Sequence, residues 1–76
     1  MITKYNLKFI LHSKNNTLKL IKSSLAEFGG NLEVVQTLDF QETSDYEVQL
    51  VTEDPTLVFD LCAQFGRIRS IKVQEL

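Results

Sequence analysis

The chain predicts an α+β fold, one antiparallel sheet of four strands with two helices packed on one of its faces. Three observations carry that expectation. Two segments alternate polar and apolar residues with the two-residue period of a half-buried strand, two others repeat apolar residues at steps of three and four, and a glycine follows each of those helical stripes. Their order is strand, helix, strand, strand, helix, strand.

The first segment is "KYNLKFILH", residues 4–12, with Tyr5, Leu7, Phe9 and Leu11 on one face and Lys4, Asn6, Lys8, Ile10 and His12 on the other. After "SKNN", Leu18, Ile21, Leu25 and Phe28 form one helical stripe, leaving Lys19, Lys22 and Glu27 toward solvent. Asn15 or Asn16 can cap the first turn of this helix, because a short side-chain carbonyl reaches its free N–H groups. Gly29 and Gly30 are expected to close it in the left-handed conformation.

The run "NLEVVQTLDFQE" is rich in β-formers, with Leu32, Val34, Leu38 and Phe40 of one parity and Val35 breaking it, which suggests a bulge near Val34 and Val35. "QETSD" reads as a turn. "YEVQLVT" follows as a strand, with Tyr46, Val48 and Leu50 inward and Glu47, Gln49 and Val51 outward. In "EDPTLVFDLCAQFG", Asp54 is placed to cap a helix that begins at Pro55, with Leu57 or Val58, Leu61 and Phe65 as its buried stripe. Gly66 ends this helix, and "RIRSIKVQEL" closes as a strand with Ile71 and Val73 inward.

Right-handed crossovers in both strand-helix-strand units set the two helices on the same side, the ferredoxin-like βαββαβ arrangement. The opposite face is then open and carries Lys8, Ile10, His12, Glu47, Gln49, Val51 and Lys72. The second strand is an edge.

Composition limits the functions available. With 76 residues the chain is a single domain, residues 1–76, that must use nearly all its apolar residues in one core and has little room for a deep catalytic cavity. Hydrophobic residues make up 43% and charged residues 24%, as in ordinary globular chains. No apolar run approaches the roughly 20 residues of a membrane span, and the N-terminus lacks a signal-peptide stretch, so a cytoplasmic protein without a membrane partner is expected. One cysteine, Cys62, excludes an internal disulfide framework and any multi-cysteine metal site, and its helical position reads as a small core residue.

The residues bear on four functions. Nucleic-acid binding on the open face needs aromatic rings there, yet Tyr5, Phe9 and Tyr46 share the inward parity and eight basic residues face ten acidic ones. Metal carriage needs more donors than the lone His12, which reads as a surface or hydrogen-bonded residue. Hydrolysis of a small phosphate compound needs an arginine and a glycine nest after the first strand, and "LHSKNN" has neither, while Ser13 has no visible base and acid partners. No catalysis and no cofactor are expected.

The fourth reading rests on "NTLKLIKSSLAEFGGNLEVV". This run resembles the ACT family of small regulatory domains, which follow approximately D-x-P-G-x-L-x-x-I-x-x-x-L-A-x-x-G-x-N-I; Leu18, Ile21, Leu25, Ala26, Gly29, Asn31 and Leu32 fall on its positions. Ser13 and Asn16 stand where the family carries an acid and a glycine, and Gly30 where it carries an aliphatic residue. The resemblance implies a regulatory module that binds a small ligand, often an amino acid, at the first loop and assembles side by side. The expected ligand-binding residues are Ser13, Lys14, Asn15, Asn16, Thr17 and Asn31, with the helix N-terminus and Lys14 favouring an anionic group. A homodimer through the second strand, or a larger protein partner, is expected. The alternative is an interaction or oligomerisation module of the same fold without a small ligand.

Overall fold

A computed structural model describes residues 3–14, 18–40 and 42–76. Alternation of small-period apolar residues produces β1 (Tyr5–Lys14), β2 (Gly30–Phe40), β3 (Thr43–Thr52) and β4 (Gly66–Glu75), while the two stripes become α1 (Leu18–Leu25) and α2 (Pro55–Ala63). The strands form one antiparallel sheet in the order β2-β3-β1-β4, so β2 and β4 are its edges. This order is compatible with the ferredoxin-like arrangement. Among the described residues no helix is long and apolar enough to cross a membrane.

One core holds both helices to one face. Ile21 and Leu25 of α1 and Val58 and Cys62 of α2 are fully buried in the same cluster as Leu7, Phe9, Leu11, Tyr46, Val48 and Leu50. Phe9 meets Phe59 edge to face, ring centroids 5.4 Å apart. Tyr46 is satisfied at its polar end, its hydroxyl donating to the Lys14 carbonyl at 3.2 Å. Cys62 is a core residue as expected, and burial pushes its thiol up to about 11 from 9.0.

Second-helix capping follows the sequence: the Asp54 side chain accepts from the Leu57 amide at 3.2 Å, with Pro55 in the first turn. The cap expected at Asn15 or Asn16, and the inward side chains expected of Leu38 and Phe40, lie outside the described residues.

Several expectations are corrected. Ser44 and Asp45 belong to β3 rather than to a turn, since β2 pairs with β3 as far as Phe40 opposite Thr43. Val34 and Val35 pair regularly with Val48 and Glu47; the register shifts fall on either side of them, between Gly30 and Glu33 and between Gln36 and Leu38. Ile71 and Val73 are 51% and 49% exposed, outside the core. The cause is a mismatch of lengths. A nine-residue helix spans about 14 Å whereas a ten-residue strand spans about 33 Å, so α2 cannot cover all of β4.

The glycines do not act as left-handed helix closers, for none has a positive φ. Instead Gly29 and Gly66 permit close strand approach. A Cβ on Gly29 would overlap the Val51 carbonyl oxygen, and one on Gly66 would overlap the His12 carbonyl oxygen. The left-handed residues are Asn31 and Ser70, each with φ 54°, and each lies within a register shift of its edge strand.

The two helix-to-strand joints match in detail. "LAEFG" (25–29) and "CAQFG" (62–66) supply a buried residue, a phenylalanine and the close-packed glycine in the same spacing. Thr52 donates its hydroxyl to the Phe28 carbonyl at 2.7 Å, and Ser13 donates to the Phe65 carbonyl at 2.6 Å. A hydroxyl at the end of a central strand thus holds each joint.

Candidate functional site

The alternation of β1 and β3 sorts side chains to two faces, and the open face carries the residues expected there, with Lys8 opposite Gln49 and Lys72, and Ile10 opposite Glu47. At one end of this face the sheet order joins three strands through polar groups. His12 of β1 lies opposite Asp45 of β3 and opposite Arg67 of β4. His12 Nδ1 and Asp45 Oδ1 are 2.6 Å apart, while Asp45 Oδ2 accepts from an Arg69 terminal nitrogen. Arg69 therefore reaches over β1 to a strand it does not pair with.

Asp45 is the buried member. Its side chain is 8% exposed against 46% for His12 and 61% for Arg69, so the carboxylate lies under the imidazole and the guanidinium. A carboxylate out of water needs such partners, and both of its oxygens have one. Asp45 can only accept, so the bonded Nδ1 carries the hydrogen and Nε2, on the other side of the ring, faces away from it. Among the described residues Nε2 has no hydrogen-bond partner, and neither does the exposed Arg67 guanidinium. Farther along the face, Lys8 and Glu47 form an exposed pair at 3.3 Å, which contributes little to stability.

Of the residues expected to bind a ligand, the described ones, Ser13, Lys14 and Asn31, do not gather in one place. Ser13 is 5% exposed and its hydroxyl is engaged by Phe65, so it holds a joint rather than facing a loop. Lys14 ends β1, opposite Thr43. Asn15, Asn16 and Thr17 lie outside the described residues. Asn31 is at the far end of the sheet, since its neighbour Gly30 pairs with Val51 while Ser13 pairs with Ser44. The seven steps along β3 from Ser44 to Val51 amount to about 23 Å.

Asn31 does line a cleft of about 540 Å³, together with Lys4, Glu27, Gly29, Thr52 and Asp54. Glu53 adds a third carboxylate against the one ammonium, so this cleft favours a cationic group over an anionic one. Thr52 and Asp54 already bond backbone groups there, the Thr52 oxygen also accepting from the Asp54 amide at 3.2 Å. Among the described residues no group of three or more His, Cys, Asp or Glu could hold a metal ion.

Sequence reasoning missed the His12 cluster because Asp45 looked like a turn residue and Arg67 and Arg69 are far from His12 along the chain. One signal was available: an aspartate beside a β-rich run needs partners once the run includes it. No protein-family model matches the chain, and searches of curated proteins and of solved structures found no match either.

Proposed function

We propose that this chain is a non-catalytic regulatory module of ferredoxin-like fold, similar to ACT domains, that works by self-association along β2. The observation that carries the reading is the state of that edge. β2 runs for eleven residues with one side of its backbone unpaired, and contains neither lysine nor proline, the residues that most often block edge pairing. Between its two register shifts, Glu33–Gln36 stays straight, and Val35 there is 56% exposed on the open face. A second copy pairing antiparallel with this segment would extend the sheet and cover Val35.

Equilibrium sedimentation tests this directly. At a concentration on the order of 100 μM the chain should be a dimer or larger, and Val35→Lys should shift it toward monomer with unchanged circular dichroism. A monomer at that concentration overturns the reading.

A second reading, small-ligand binding, is favoured by the cleft beside Asn31. Its carboxylates suit a ligand that presents an ammonium group, as an amino acid does. A thermal-shift scan of the twenty amino acids separates the two readings, because a ligand at one hundred times its Kd stabilises by about 2.7 kcal/mol. Absence of any shift leaves the interaction module.

A further inference from the structure

The joint that follows α2 carries groups that its counterpart after α1 lacks. Where Gly30 pairs with Val51 at the first joint, Arg67 pairs with His12 at the second, each immediately beyond the close-packed glycine. The backbone device therefore works without a side-chain pair at this position. His12 and Arg67 have some other basis.

Asp45 is the second observation. Burying a carboxylate in a strand, 6% exposed, is unfavourable unless it is compensated, and both its oxygens are spent on fixing two cation-capable side chains. The result is an imidazole held with Nε2 outward and a guanidinium held across β1 with most of its five N–H donors unspent. Arg67 stands directly across from that imidazole, on the same face and, among the described residues, without a partner.

We propose that His12, Arg67 and Arg69 form a binding site for a phosphate group on the open face, with Asp45 as its positioning residue. Two guanidinium forks, with the Nε2–H that His12 carries in its protonated form, match the three peripheral oxygens of a phosphate monoester, and Arg favours such oxyanions through paired N–H donors. One carboxylate against these groups leaves the local charge positive although the chain carries −2 overall. A small phosphate compound fits better than a nucleic-acid strand. The buried Phe9 and Tyr46 leave no phenyl ring of β1 or β3 on this face for base stacking, and Glu47 interrupts the basic row beside Lys8.

The test uses the full 15N-labelled chain, following the His12 ring nitrogens and the Arg67 and Ile68 amides during additions of inorganic phosphate, a nucleoside monophosphate, or sodium chloride at equal ionic strength. Saturable shifts are expected with both phosphate compounds and not with chloride; tighter binding of the monophosphate assigns the source to an organic ester, equal binding to the free ion. Arg67→Ala, which removes an exposed side chain, should keep the fold and weaken binding about tenfold or more. Arg67→Lys should fall between, because it keeps the charge and loses the fork. The proposal is overturned if chloride reproduces the shifts or if Arg67→Ala binds like the parent chain. It is overturned too if a single-stranded oligonucleotide binds far more tightly than the monophosphate and loses as much affinity with Lys8→Ala or Lys72→Ala as with Arg67→Ala, since that describes a nucleic-acid track.

Discussion

The joints after α1 and α2 use one mechanical solution for two different settings. In each, a phenylalanine carbonyl accepts a hydroxyl from the end of a central strand, and the next glycine lies against that strand's backbone. They then diverge. At the first, β2 enters a register shift at once and Asn31 turns left-handed beside an acid-lined cleft. At the second, the shift waits until Ser70, so Gly66 to Arg69 stay in register with β1 and deliver Arg67 and Arg69 to the His12 side. The position of a bulge, rather than the joint itself, decides which side chains an edge strand presents.

The largest expected effect breaks the joints themselves. Gly66→Ala places a methyl group on the His12 carbonyl, and neither backbone can yield without separating β4 from β1, so urea unfolding should reveal a loss of about 3 kcal/mol or more. Gly29→Ala should lose a similar amount against Val51. Gly30→Ala, with nothing within 4 Å, is the control and should lie within about 0.5 kcal/mol of the parent.

Next in size is a difference between the two helices, since Cys62 occupies in α2 the place of Leu25 in α1. The unfolded thiol ionises near 9.0 and the folded one near 11, so the unfolded state releases a proton first. Stability from this group is complete below pH 9.0 and falls as pH rises toward 11, by up to about 3 kcal/mol. Denaturation curves of the parent and of Cys62→Ala across that range should converge as the pH rises. Parallel curves would remove this assignment.

The hydroxyl latches give a smaller effect. Ser13→Ala and Thr52→Val each leave a phenylalanine carbonyl without its donor, at about 1–2 kcal/mol apiece by chemical denaturation. Thr52→Val should be the costlier, because its oxygen also accepts the Asp54 amide. Equal losses would mean that the Asp54 contact adds nothing.

The element order was legible from local pattern: the strand alternation, the helical stripes, the Asp54 cap and the outward set on β1 and β3 all depend on neighbours in sequence. The roles of Gly29 and Gly66 were not, because close approach to Val51 and His12 exists only once distant strands meet. Local propensity also misread Asp45, which only its contacts across the sheet hold within a strand. The same limit hid the distance between Ser13 and Asn31, which the sheet sets at opposite ends. The repeated "LAEFG" and "CAQFG" strings were open to inspection and carry the duplicated joint.

The strand order β2-β3-β1-β4 has a consequence for assembly. β1 and β2 come from the first half of the chain and β3 and β4 from the second, yet every ladder in the sheet joins one half to the other. Neither half contains a strand pair of its own. Separated into fragments at the β2–β3 turn, each half would have a helix and two strands with no ladder to join them, and order should return only on mixing. The sheet is a mutual template, and unfolding of one half should never be observed without the other.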